Sequence, residues 1–168
     1  LNDVSGLQHD QRLAQVASRH KIPIILMHTR GTPEMMQKQP FAKNVLRDVT
    51  TGLRHSLALA QRAGIKKSQI ILDPGIGFGK SFAQNYELLA KLPLLTRLGC
   101  PLLVGTSRKG FLGATLARMG KPLPPAERIW GAAAAVTASI LGGAHIIRVH
   151  DVAEMAQVAR IADAVLNS

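Results

Sequence analysis

The sequence predicts an α/β protein built on a parallel sheet, and three observations carry that reading. Four short apolar stretches, 22–27, 69–73, 101–105 and 145–149, are nearly continuous in hydrophobicity, as strands buried on both faces are. Segments with helical spacing alternate with them, at 8–20, about 45–63, about 85–98, about 126–141 and 152–166. The connections are also unequal. Helices run into strands through tight turns at Ala63-Gly64, Gly99 and Gly142-Gly143, whereas strands run into helices through long polar loops at 28–39, 74–84 and 106–125.

This βαβαβαβα order, with a strand stub in front, forces right-handed crossovers and puts function at the C-terminal ends of the strands. An open doubly wound sheet and part of a (β/α)8 TIM barrel both satisfy it. Four βα units plus a stub are slightly more than half a barrel, and a whole one typically takes about 250 residues. The opening Leu1-Asn2-Asp3-Val4-Ser5-Gly6 has no initiator Met and reads as a strand running into a turn. The expectation is therefore one domain over 1–168, incomplete at its N-terminus: the second half of a barrel, from the end of strand 4 through strand 8 and helix 8.

Composition narrows the function. At 46% hydrophobic residues the chain is globular rather than disordered. Lys and Arg number 21 against 10 Asp and Glu, a formal charge of +11, which suits nucleic acid, an anionic membrane face or anionic small substrates. The cations are scattered, only 4% of residues are aromatic, and no nucleic-acid module is visible, so nucleic acid is not expected. The longest apolar run, 129–143, is mostly Ala, is interrupted by Thr137 and Ser139, and falls short of the roughly 18 residues a membrane span requires. A single cysteine, Cys100, forms no internal disulfide and suits a reducing, cytoplasmic setting.

The loop after the second apolar strand reads Asp73-Pro74-Gly75-Ile76-Gly77-Phe78-Gly79-Lys80-Ser81. It is one residue short of a phosphate loop, since Gly75 and Gly79 enclose three residues rather than four. It also lacks the two-residue gap of a dinucleotide fingerprint. A glycine-rich turn without a ligand is the plain alternative. Against it stands Asp73, a carboxylate ending an apolar strand, where burial is unfavourable unless a donor pairs with it. The next loop, Gly105-Thr106-Ser107-Arg108-Lys109-Gly110, combines small residues with two adjacent cations.

In the last strand, alternation sends Ile146, Arg148 and His150 to one face and Ile147 and Val149 to the other. A guanidinium is poorly placed against a helix layer, so Arg148 and His150 are expected inward at the sheet mouth, as an anion site. The alternative is a structural ion pair of Arg148 with Asp3 or Asp73. His28 should face the helices if Met27 faces the barrel, and His9, His20, His55 and His145 read as cap or core residues. No His, Cys, Asp or Glu pair has metal-site spacing.

Taken together, Asn2-Asp3-Val4-Ser5-Gly6, Met27-His28, the 73–80 loop, Gly105-Thr106-Ser107-Arg108-Lys109 and Arg148-Val149-His150-Asp151-Val152 closely resemble the bacterial dihydropteroate synthase family over the whole chain. The Ser-Arg-Lys loop and the Arg-Val-His-Asp ending separate this resemblance from pterin-binding methyltransferases that share the barrel and the strand-end Asp. It implies a cytoplasmic, dimeric transferase of folate biosynthesis, joining 6-hydroxymethyl-7,8-dihydropterin pyrophosphate to p-aminobenzoate, with sulfonamides competing for the aryl acid. It further implies that Asn2, Asp73 and Lys109 hold the pterin, with Met27 packed against it and Gly105 giving clearance. Arg148 and His150, with Asn2 nearby, would hold the pyrophosphate, and with Lys109 form the catalytic set. Ser107 and Arg108 would meet the p-aminobenzoate carboxylate, with Pro33, Gly77 and Phe78 near its ring. Mg2+ is implied as well, through a protein ligand in the family's early strands, which have no counterpart here. A methyltransferase-type barrel and a non-catalytic fragment remain the alternatives.

Overall fold

The computed structural model describes residues 1–31 and 41–168. Five parallel strands appear in it: β1 (Asn2–Asp3), β2 (Ile24–Met27), β3 (Ile70–Asp73), β4 (Leu103–Val104) and β5 (Ile146–Ile147). β1 pairs with β2 through Asn2 and Ile25, and β2 with β3 from Ile24 beside Ile70 to Met27 beside Asp73. A parallel bridge from Leu72 to Leu102 leads on to β4, which pairs with β5 through Leu103 and Ile146. Spatial order thus follows chain order throughout. A doubly wound sheet reverses its order at a switch point, so this arc is a sector of a (β/α)8 barrel.

Two faces result. Leu26, Leu72 and Val104 point into the helix-covered core and are at most 1% exposed. Asn2, Ile25, Leu103, Ile146 and Arg148 line the cavity on the opposite face.

Helices α1 (Arg12–His20) and α2 (Val45–Arg62) cover the first strands. α2 starts where Asn44 Oδ1 accepts the Arg47 N–H at 2.9 Å. The expected helix at 85–98 is in fact two, α3 (Phe82–Ala90) and α4 (Leu92–Thr96). Ser81 and Gln84 form a reciprocal capping box that begins α3 three residues early. Pro93, which has no N–H to give, restarts the helix after Lys91. The long loop at 106–125 contains a short helix, α5 (Gly110–Thr115), that the sequence did not suggest. α6 (Ile129–Leu141) follows a 3-10 turn at Pro125–Glu127 and packs against α7 (Val152–Leu166).

Leu72 is fully buried in the middle strand. Leu72→Ala is expected to lower the unfolding free energy of the gene's complete product by about 2 to 5 kcal/mol in urea titration. A loss under about 1 kcal/mol would place this side chain outside the tightly packed core.

Candidate active site

Strand geometry brings Met27 and Asp73 side by side at the ends of β2 and β3. Asp73 is only 1% exposed, so its carboxylate must find donors within the protein. Oδ1 accepts the Gly75 N–H at 2.7 Å, and Oδ2 accepts Arg148 Nη2 at the same distance. Burial pushes the carboxyl above its ordinary range, while the Gly75 N–H, Arg148 and Lys80 pull it back. Of the two partners considered for Arg148, the ion pair forms with Asp73. Asp3 is taken up by its own turn, accepting Ser5 N, Ser5 Oγ and Leu7 N at 2.6–2.9 Å.

Arg148 Nη1 also reaches Asn2 Oδ1 at 3.3 Å. Gly105 makes room for this guanidinium, because a Cβ there would lie 3.3 Å from its nitrogens. Lys109 comes from the turn before α5, and its Nζ sits 4.1 Å from the centroid of the Phe78 ring, in cation–π range. Burial lowers its pKa, helped by Arg148 and opposed by Asp73. Gly77 is needed beneath it for two reasons: φ is +84°, and a Cβ would come within 2.9 Å of Lys109 Cδ.

Asn2, Phe78, Gly105, Ser107, Lys109, Arg148 and His150 therefore line one cavity of about 810 Å³. Three adjacent cationic or imidazole groups beside one buried carboxylate suit a ligand that donates N–H groups at one end and carries anionic oxygens at the other.

Several residues singled out in the sequence are engaged elsewhere or lie off the lining. Met27 is buried beside Asp73, beneath the lining. Ser107 Oγ is engaged by His150, at 3.0 Å from Nδ1 and 3.3 Å from its backbone N–H. Arg108, at φ +60°, turns away to pair with Asp151 Oδ1 at 2.7 Å. Pro33 lies outside the described residues.

His28 faces α2, with its Nε2 3.6 Å from Asp48 Oδ2, and Gly52 makes room for its ring. Burial, with Lys80 and Arg30 nearby, lowers its pKa to about 3, so it is neutral at ordinary pH. Sequence reasoning missed Lys80, which is 3% exposed and bonded to His28 and the glycine loop. Its only signal was a lysine following alternating glycines, and the phosphate-loop spacing it failed to meet drew attention away from it.

The class is that of (β/α)8 barrels with basic side chains gathered at the strand ends. The sequence pattern of the pterin binding enzyme family matches residues 1–150, and the chain belongs to that family. It is 46% identical over 164 residues to the dihydropteroate synthase of Synechocystis sp., a match covering 98% of this chain and 55% of that one. It also superposes on the Yersinia pestis dihydropteroate synthase solved with a sulfonamide drug, at TM-score 0.92 and 38% identity, covering 99% of this chain and 58% of that one. The Clostridium difficile dihydropteroate synthase solved in the presence of pteroic acid gives TM-score 0.87 at 37% identity, over 98% of this chain and 58% of that one. The chain thus spans a little over half the length of these relatives.

One consequence concerns pH. From pH 6.5 down to about 3 the unfolded chain holds more protons at His28 than the folded one. Stability carried by the neutral imidazole is therefore present above pH 6.5 and falls as pH drops through that window, by up to about 1.4 kcal/mol per unit. His28→Gln is expected to flatten the pH 4 to 7 difference in unfolding free energy measured by denaturant titration. An unchanged slope would show that the imidazole is not buried neutral.

Proposed function

We propose that the enzyme to which this chain belongs condenses 6-hydroxymethyl-7,8-dihydropterin pyrophosphate with p-aminobenzoate, giving 7,8-dihydropteroate and pyrophosphate, with residues 1–168 part of a single barrel domain. The observation that carries this reading is Asp73, a buried carboxylate at a strand end beside Lys109, Asn2 and Arg148. A pterin offers amino and ring N–H donors to such a carboxylate, and Lys109 donates to its ring acceptors. The relatives' names support the reaction, and the methyltransferase-type alternative gains no support from them.

The division of labour is the one the family resemblance implies, and the placement of these residues supports it. Asn2, Asp73 and Lys109 hold the ring, with Met27 beneath. Arg148 and His150 receive the pyrophosphate. The C–O bond from the pterin methylene to the pyrophosphate breaks, the aryl amine forms the new C–N bond, and the amine proton is released. Negative charge grows on the leaving oxygens, so cations already in place act most strongly in the transition state. Phe78 and Gly77 flank the aryl acid. Ser107 and Arg108 take its carboxylate once they exchange their present partners, His150 and Asp151.

The family resemblance also brings Mg2+. Among the described residues no group of three or more His, Cys, Asp or Glu side chains is placed to hold a metal ion. The described residues do not by themselves fit one.

Homodimerisation belongs to the proposal too. Trp130 on α6 is 79% exposed, and an apolar groove of about 640 Å³ runs between α3, α5 and α6, lined by Tyr86, Leu112, Leu116, Ala134 and Ala138. Among the described residues no helix is long and apolar enough to cross a membrane. A cytoplasmic setting rests on the lone, buried Cys100.

Calorimetry on the gene's complete product tests the function. The pterin pyrophosphate is expected to bind first, and p-aminobenzoate only afterwards. Asp73→Asn should weaken pterin binding by about 1.5 to 3 kcal/mol, because an amide brings donors where the ligand also donates. Unchanged pterin affinity in that variant, or binding of p-aminobenzoate to the empty protein, would sink the reading. Arg148→Ala should abolish inhibition by free pyrophosphate while leaving a phosphate-free pterin bound, as competition assays can show.

A further inference from the structure

Lys80 belongs to none of the roles above, yet it is the most fully enclosed cation among the described residues, 3% exposed and in no ion pair there. Its Nζ donates to the carbonyl oxygens of Gly75 and Phe78, both at 2.9 Å, and lies 3.3 Å from that of His28 and 3.1 Å from His28 Nδ1. An ammonium has three N–H donors, so every proton has an acceptor and one is shared. Neutral dipoles gathered in this way do for the ammonium what a ring of carbonyls does for a metal ion.

The loop can close around it because Gly75, Gly77 and Gly79 all have positive φ, at 67°, 84° and 66°. At Gly75 the approach is so close that a Cβ would fall 1.9 Å from the His28 carbonyl oxygen. The imidazole is itself held in one state. Nδ1 must accept from Lys80, which leaves the proton on Nε2, facing Asp48, and Asp48 is fixed in turn by Arg30 Nη1 at 3.1 Å. The groups facing Lys80 are thus His28 and Asp48 from the α2 side, and Asp73 and Lys109 from the cavity side. Burial brings its pKa down to about 7, with Asp73 and Asp48 opposing the fall.

The two carbonyls that Lys80 binds belong to the residues that define the site. Gly75 sends its N–H to Asp73, and Phe78 carries the ring beneath Lys109. We propose that Lys80 is a positioning residue: its ammonium draws the 74–79 loop into the one shape that puts the Phe78 ring against Lys109 and the Gly75 N–H against Asp73. Two further anchors, Asn85 Oδ1 accepting the Gly77 N–H at 2.6 Å and the Ile76 side chain buried in the core, hold the loop but leave the Phe78 carbonyl to Lys80. Loss of Lys80 therefore moves Phe78 more than it moves the fold.

For the identity of the ligand beside Phe78 this inference rests on the synthase reading, so two measurements on the gene's complete product keep the two apart. In Lys80→Met, of similar length but without donors, the KM for p-aminobenzoate is expected to rise about tenfold or more, and pterin pyrophosphate affinity to fall by a smaller factor, because Asp73 keeps Arg148 as a donor when the loop shifts. A residue that only supported the fold would lower the melting temperature and the fraction of active enzyme at unchanged KM, and that result would overturn the proposal. Should Lys80→Met fail to fold, Lys80→Gln, one atom shorter and with two N–H donors, too few for the acceptors gathered there, carries the test: a raised KM supports positioning and an unchanged KM overturns it. The second measurement needs no substrate. Amide NMR signals of Gly75, Gly77 and Phe78 in the ligand-free variant should shift or broaden, and unmoved signals would overturn the proposal even if the synthase reading failed.

Discussion

The site depends on one constraint, a carboxylate held almost out of water at the end of a strand. Asp73 ends β3, and the register with Met27 leaves it no choice of depth. Burying that charge is unfavourable by several kcal/mol unless donors meet it. The donors come from opposite directions: Gly75 from the loop just beyond and Arg148 from the loop after β5, 75 residues on. The pair therefore joins the first three strands to the last one across the cavity. Its geometry also means that Arg148 has a partner before any ligand arrives. In the proposed reaction, a pterin supplying N–H donors to Asp73 would release the guanidinium toward the pyrophosphate, so that the two ends of one substrate would meet groups that already compensate each other.

Around this pair the loops are arranged by many polar contacts, with Ile76 as an apolar anchor of the glycine loop in the core. Lys80 gathers the glycine loop, Asn85 pins its tip, and Ser107 meets His150 between the last two strand-end loops. Arg108 and Asp151 make a second link between those same loops. Loops that bury little apolar surface need such contacts to hold a shape precise enough for recognition. The apolar core lies on the other side of the strands, where Leu26, Leu72 and Val104 meet the helices. Packing thus fixes the strands, and hydrogen bonds do most to shape the strand-end loops.

That division explains what could be read from the sequence. Strand periodicity was enough to foresee that Arg148 and His150 share a face, because a residue spacing of two survives even where the regular strand is only Ile146–Ile147. Asp73 was visible as a charge ending an apolar run. The Ser81 and Gln84 box and Pro93 were equally visible, and they account for the helix boundaries that differed. Contacts made to backbone carbonyls were not legible, since every residue has a carbonyl and only the fold decides which converge. Lys80 is the case in point. Arg108 teaches a related lesson. Adjacent residues in a turn send their side chains in different directions, and its left-handed backbone carries it to Asp151 while Lys109 enters the cavity.

Asp73 and Arg148 stabilise each other in the ligand-free protein and organise the site by doing so. A double-mutant cycle with Asp73→Asn and Arg148→Met, read as unfolding free energies of the gene's complete product, measures this coupling directly. Each single change is expected to be destabilising and the double variant to lose less than their sum, with a coupling of about 1.5 kcal/mol or more for a charge-assisted pair with one buried member. Strictly additive losses would contradict it, because the carboxylate would then be held by its backbone contacts alone.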